Sequence, residues 1–265
     1  MTAATVRIGA PGRLLANTAT ITGRNLRRLV RIPTLIAFAT VQPVMFVLLF
    51  TYAFGGAIHP PGVDRYIDYA LPGIWVLAIA FGASQTGVAL ADDLATGMID
   101  RFRALPTARP AVLAGRVAAD AVRNAFVLVL MTALAAAIGF RFHAGPAAAL
   151  AAIGLALAIG VAFSWIFALL GLLVRDPESA GIGGLLAVIP LIFTSSTFVP
   201  VDTFPGWLQA FAHVNPITVT VDALRALCLG GPTAGYVGTA LAWIAALLAV
   251  TVPAAVLRYR RVTAS

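Results

Sequence analysis

Side chains that usually carry chemistry are few and scattered in this chain. Glu178 is its only glutamate and Cys228 its only cysteine, and His59, His143 and His213 lie far apart. A general base needs a partner within hydrogen-bond reach, and a metal needs several ligands at short spacing, so neither site is indicated. One cysteine closes no intrachain disulfide. All 18 basic residues are arginine. Without lysine the chain lacks both the phosphate-holding lysine of a nucleotide P-loop and a Schiff-base amine. No cofactor is therefore expected on this chain, and catalysis is not expected of it.

What remains is charge in apolar company. Arg116, Asp120 and Arg123 follow i, i+4, i+7 spacing, so one helix face carries all three and they can satisfy one another. Charge within a span is a functional candidate, but near an interface it also suits structural pairing with snorkelling.

The elements that must position these groups follow from composition. Of 265 residues, 60% are hydrophobic and 11% charged, with mean hydropathy +0.95. A soluble domain carries about a quarter charged residues, so the chain belongs to the membrane class. A net charge of +8 would suggest nucleic acid in a soluble protein. Here it reads as arginine at cytoplasmic flanks meeting anionic lipid, with no nucleic-acid partner.

The apolar runs predict an all-α, polytopic membrane protein with six transmembrane helices. They lie at about 34–54, 70–90, from the Arg116–Arg123 charges to Phe140, 146–174, 180–198 and 236–257. Residues 59–69 read as a polar loop. Residues 12–32 place Arg24, Arg27, Arg28 and Arg31 on one helical face, with Leu14, Ile21 and Leu29 on another. That pattern predicts an N-terminal amphipathic interfacial helix. The organisation is thus 1–33, a cytoplasmic tail and interfacial helix; 34–257, the membrane domain; and 258–265, a cytoplasmic tail.

Arginine placement orients the chain. With the N-terminus inside, only Arg65, Arg141 and Arg225 of the loop arginines fall outside, and both termini are cytoplasmic. Residues 92–106 and 175–178 then face the cytoplasm, and 195–225 faces the exterior. That outer stretch, broken by Pro200, Pro205 and Pro216, predicts short helices at a membrane boundary. Asn215 and Pro216 have the types of a helix cap and first residue, Asp222 and Arg225 can pair, and Trp207 suits the headgroup level.

Such a chain is better equipped to move something than to cut it. Proton coupling usually needs buried acids, and outside the Arg116–Asp120–Arg123 group the spans have none. ATP coupling would need a separate subunit, and 92–106 is the largest cytoplasmic feature between spans on which it could dock.

Three segments resemble the type-2 ABC (ABC-2 type) exporter permeases, a family that includes daunorubicin-resistance permease subunits. They are the arginine-rich N-terminal helix leading to FTYAFGG, then DDLATGMIDRFRALPTARPAVLAGR, then STFVPVDTFPGWLQAFAHVNPITVTVDALRAL. The resemblance implies a permease subunit, without its own ATPase site, in a bacterial plasma membrane. It implies a second permease copy, identical or related, and separate ATPase subunits that bring ATP and Mg. Carried onto this chain, Gly97 to Pro106 matches the main coupling helix, within about 92–106. Arg175, Asp176 and Glu178 match a smaller contact, and about 199–225 matches re-entrant helices capping the pathway outside. The family's glutamate before the coupling helix is replaced by Asp92 and Asp93, so no acid role is carried over.

Residue chemistry agrees with this. Ile99, Phe102 and Leu105 form an apolar ridge, while Asp100, Arg101 and Arg103 can set register at its rim, with Gly97 and Pro106 bounding the piece. Gln42, Phe46, Phe50, Gln85, Phe193, Ser195, Ser196 and Phe198 suit the path of an amphipathic substrate, though each also suits packing or lipid contact. Phe198, Val199 and Pro200 are read as an outer hydrophobic constriction. The expected cargo is a hydrophobic drug or lipid-like molecule. Alternatives are a polysaccharide or glycolipid exporter, an ATP-independent secondary transporter, and a non-transporting scaffold or immunity protein.

Overall fold

The computed structural model describes residues 18–25, 27, 33–58, 60, 62–96, 109–174 and 176–262, and every regular element among them is helical. Helix α1 (Pro33–Leu49) continues into a π turn, Phe50–Phe54. There follow α2 (Tyr66–Ala95), α3 (Arg109–Ile138), α4 (Pro146–Val174) and α5 (Pro177–Phe193). After a 3-10 turn at Val201–Thr203 come α6 (Gly206–Val214), α7 (Pro216–Leu229) and α8 (Thr233–Val262).

Helices α2, α4 and α8, with Ala111–Ile138 of α3, are long and apolar enough to cross a membrane. Two further apolar helices, Thr40–Phe54 and Pro177–Phe193, are shorter. These occupy the places of the first and fifth expected spans. Helices α6 and α7, of 9 and 14 residues, rise only about 14 and 21 Å, less than a bilayer core of about 30 Å. The end of the bundle that carries 194–205 is the one expected outside from arginine placement, and outer and inner name the two ends in that sense.

The second helix is longer than its hydropathy suggests. Residues 66–69, expected in a loop, form its first turn and are buried. Hydropathy misses them because two are tyrosines and one is Asp68. Residues 66–80 are buried without a break, which makes α2 the central helix. It packs on α3, α4, α5 and α7, while α8 packs on α4 and α7. A second cluster of Leu90, Leu113, Val117, Trp165, Leu172, Ala255 and Tyr259 joins α2, α3, α4 and α8 at the other, inner end.

Close approach of α2 and α4 sets the crossing. A Cβ on Gly171 would fall inside contact distance of the Gly87 carbonyl oxygen, and one on Gly87 would sit 2.6 Å from the Phe167 carbonyl oxygen. Small residues let backbones meet in this way where apolar burial cannot discriminate between helix and lipid. The Phe167 ring fills the room left at Gly184 of α5.

The helical segment 18–25 lies against α3. Ile21 is buried on Gly115, and the Thr22 hydroxyl donates to the Gly115 carbonyl at 3.1 Å. At Ile21 the expected apolar face therefore meets protein. Leu14, Arg28, Leu29 and Arg31 lie outside the described residues.

Gly171→Ala should lower stability by about 1–3 kcal/mol, because its neighbour is backbone and cannot turn aside. Gly154→Ala on the same helix meets nothing within 4 Å and should be neutral or stabilising by up to about 1 kcal/mol. Thermal melting of the two variants in detergent checks the contrast.

Candidate functional site: an arginine-held outer turn beside an aromatic column

Helix α5 ends at Phe193, and the chain turns through 194–198 before Pro200 and Pro205 keep it from re-forming a long helix. Residues Ser195, Ser196, Thr197 and Phe198 are all buried. The hydroxyls among them and the Ser196 and Phe198 carbonyls are bonded locally or from α2 and α7. The Ser195 hydroxyl donates to the Ile192 carbonyl at 2.6 Å and lies 2.7 Å from the Thr197 hydroxyl. Ser196 Oγ donates to Asp222 Oδ1 at 2.7 Å.

Arg225 organises this turn. One terminal nitrogen pairs with Asp222 Oδ1 at 2.8 Å, and the other donates to the Ser196 carbonyl at 2.9 Å. Its Nε donates to the Tyr69 carbonyl at 3.1 Å, and the guanidinium lies 3.7 Å from the Tyr69 ring centroid. The planar fork suits three acceptors and a ring face at once, which an ammonium group does not. Tyr69 Oη donates to the Ser196 carbonyl and Tyr66 Oη to the Phe198 carbonyl, each at 3.1 Å. A Cβ on Gly73 would sit 2.5 Å from the Thr197 carbonyl oxygen, so that glycine lets the turn lie directly on α2.

Helix α7 is aimed by its cap. Asn215 Oδ1 accepts from the Ile217 amide at 2.9 Å, its Nδ2 donates to the Leu191 carbonyl at 2.7 Å, and Pro216 starts the helix. The expected Asn–Pro start and the Asp222–Arg225 pair are both present.

Held in this way, Phe198 stacks on Phe50, with ring centroids 4.1 Å apart and planes 11° apart. Phe193 lies 5.6 Å from Phe198 on one side. On the other side Phe46 is 6.3 Å from Phe50, and Phe81 of α2 is 5.7 Å from Phe46. The structure thus brings Phe46, Phe50, Phe193 and Phe198 into one aromatic column from mid-bundle to the outer turn. Phe50 and Phe198 are buried, and Phe193 is 60% exposed. Val199 and Pro200 are half-buried at its outer edge. Gln42 and Gln85 are exposed on α1 and α2. The Ser195 hydroxyl is bonded within the turn and the Ser196 hydroxyl to Asp222 of α7.

At the inner end, Asp176 caps α5 by accepting from the Ser179 amide at 2.8 Å. Hydrogen bonds from Ser179 hold its carboxyl below the usual carboxylate range. Asp176 and Glu178 are exposed. Gly97, Asp100, Arg101, Phe102, Arg103, Leu105, Pro106 and Arg175 lie outside the described residues.

The charged group on α3 differs from its expected form. Arg123 pairs with Asp120 at 3.2 Å, but Arg116 does not close a three-member stack. It reaches across to Asp93 of α2 at 2.8 Å, because Asp93 offers a buried carboxylate at the same level. Thr86 of α2 donates its hydroxyl to Asp120.

Sequence reasoning missed Tyr66, Tyr69, Gly73 and Phe81. The available signal was the i, i+3 tyrosine pair directly before an apolar run. Among the described residues no group of His, Cys, Asp or Glu could hold a metal ion.

A family model described as ABC-2 type transporter matches residues 16–229. A daunorubicin resistance ABC transporter permease protein from Streptomyces coeruleorubidus is 35% identical over 254 residues, covering 94% of this chain and 89% of that protein. A probable doxorubicin resistance ABC transporter permease protein from Mycobacterium tuberculosis is 26% identical over 248 residues, covering 93% and 89%. An inner membrane transport permease from Escherichia coli is 23% identical over 196 residues, covering 72% and 75%.

Arg225→Met should cost about 1–3 kcal/mol, since it leaves the Asp222 carboxylate without its cation and takes a donor from the Tyr69 and Ser196 carbonyls. Arg225→Lys should recover only part of that loss. Thermal melting, with protease access to 194–205, reads both effects.

Proposed function

We propose that this chain, which belongs to the ABC-2 type transporter family, is the transmembrane permease subunit of an ATP-driven exporter for hydrophobic aromatic or lipid-like molecules. A separate ABC ATPase subunit supplies the ATP and Mg, and a second permease copy, identical or related, completes the pathway. The complex sits in a bacterial plasma membrane as a multi-pass assembly with both termini inside and 199–225 re-entrant at the exterior.

The observation that carries the cargo class is the aromatic column. Phe46, Phe50, Phe193 and Phe198 offer ring faces and edges along one line, and Phe193 leaves one end of that line open. A planar apolar molecule can exchange ring contacts with such a column, each worth about 0.5–1.5 kcal/mol beyond burial, without needing a charged partner. The two relatives named for daunorubicin and doxorubicin resistance share most of this chain's length, which supports the same class. A polysaccharide is less well suited, because the column offers no free hydrogen-bonding groups. Nor does Asp120, an acid buried in the bundle, suit proton coupling, since it is already paired with Arg123 and Thr86.

ATP enters this reading through Gly97 to Pro106, with a smaller contact at Arg175, Asp176 and Glu178. The ridge of Ile99, Phe102 and Leu105 fits a cleft on the ATPase, and Asp100, Arg101 and Arg103 fix its register.

Reconstitution with the candidate ATPase in vesicles loaded with daunorubicin tests the function; ATP-independent, proton-dependent efflux would overturn it. Phe198→Ala should lower ATP-driven export by roughly tenfold, or raise leak without ATP. Unchanged export and unchanged leak would count against the outer constriction. Phe102→Ala and Arg101→Glu should keep ATP hydrolysis while losing export, measured as substrate moved per ATP; normal export in both would remove 97–106 as the ATPase contact.

A further inference from the structure

Two polar rungs join α2 to α3, and neither belongs to the outer turn or the aromatic column. The inner rung is Asp93 with Arg116, 2.8 Å apart, their side chains only 13% and 16% exposed. The deeper rung is the Thr86 hydroxyl donating to Asp120, which also holds Arg123 at 3.2 Å. Ser164 of α4 flanks the Asp120 carboxylate. Thr86 and Asp93 are seven residues apart, which is about two turns or 10 Å along α2. Asp93 lies in the last turn of α2, and Arg116 about two turns into α3.

We propose that Asp93 and Arg116 are positioning residues for energy coupling. With the Thr86–Asp120 hydrogen bond they lock α2 and α3 into one rigid hairpin, so that force received at 97–106 enters the membrane as movement of both helices together. This rests on the reading that 97–106 meets the ATPase. That segment joins the two helices that the rungs connect.

The physical ground is the difference between apolar and charged contacts. Two apolar helix faces can slip by small steps, because dispersion contact re-forms at each new register. A buried ion pair cannot slip without leaving both charges uncompensated in a low-dielectric surrounding. Two rungs two turns apart resist rotation as well as sliding. Cohesion alone does not need charge, since a well-packed apolar pair of similar volume often holds as well or better. Charge buried in a span is costly, and what it adds here is resistance to shear between two particular helices.

The test uses the full complex in proteoliposomes, with daunorubicin as the transported probe. The apolar pair Asp93→Leu with Arg116→Leu should melt close to the unaltered protein and keep ATP hydrolysis. Its export per ATP should fall about tenfold. The charge-swapped pair, Asp93→Arg with Arg116→Asp, should regain most of the lost coupling. Should the apolar pair fail to fold, Arg116→Lys must stay coupled while Arg116→Gln must not. Normal coupling in the apolar pair, or in Arg116→Gln, overturns the inference, as does a swapped pair no better than the apolar one. If the unaltered complex shows no ATP-driven export, the reading beneath this inference fails first, and the inference with it. If it does export and the apolar pair couples normally, only the inference falls.

Discussion

The end of the molecule that carries 194–205 depends on one constraint: a helix broken inside packed protein leaves buried carbonyl groups that something must satisfy. Helix α5 ends at Phe193 and Pro200 and Pro205 keep a long helix from re-forming, so the 194–198 turn lacks a helical ladder for its acceptors. Arg225, Tyr69 and Tyr66 supply the missing donors. The same principle accounts for the other two arginines that the charge bias leaves on this side. Arg65 donates to the Gly139 carbonyl at 2.9 Å, and Arg141 to the Ala136 and Phe140 carbonyls at 2.7 and 2.8 Å. Arginine on the outer side of the bundle therefore serves to close chain ends, where the helix dipole of α3 also favours positive charge.

Charge toward the other end of α2 follows a different logic. Asp93, Arg116, Asp120 and Arg123 are arranged as two pairs, so the group carries no net charge. Each pair is near enough to offset part of its desolvation, but the arrangement is no cheaper than an apolar one. The helix contacts beside it are made differently. Between α2 and α4 the backbone approaches through Gly87 and Gly171, and cohesion comes from dispersion at short range. Helix α2 thus has one face held by close apolar packing and another tied by ions.

Much of this was legible in the sequence, and the part that was not has a common cause. The helical class, the Asn215–Pro216 start and the Asp222–Arg225 pair all follow from local spacing, and local spacing is what a sequence displays. That Phe46, Phe50, Phe193 and Phe198 belong to one group was also suggested by type and span. Their stacking was not, because it depends on where the 194–198 turn lands. Tyr66 and Tyr69 were hidden for a related reason. Hydropathy scores a tyrosine near a span end as loop, whereas its value here is an apolar ring on α2 and a hydroxyl aimed at a carbonyl more than 120 residues away in sequence. Arg116 illustrates the converse error. Its i, i+4 neighbour Asp120 was visible, but Asp93, on another helix, took the bond. Spacing along one helix identifies who can meet, and only packing decides between that partner and one across the interface.

Both ends of the bundle are tied to a single element. Tyr66, Tyr69 and Gly73 near one end of α2 receive the outer turn, and Thr86 and Asp93 near the other end receive α3. From Tyr69 to Asp93 is 24 residues, about 36 Å of continuous helix. Pro72 falls within its second turn, so the length beyond it carries no proline to bend at. A helix of that length, buried for most of its course, has little freedom to tilt at one end alone. Any displacement of its inner end must either carry the outer end with it or break contacts along the way. The contacts most costly to break are the buried ions at one end and the Arg225 network at the other. The aromatic column sits between them, with Phe81 as its foot on α2 and Phe198 as its head on the turn that α2 supports. A rearrangement of that column is thereby tied to the position of α2, through Phe81 directly and through Tyr66 and Tyr69 by way of the turn.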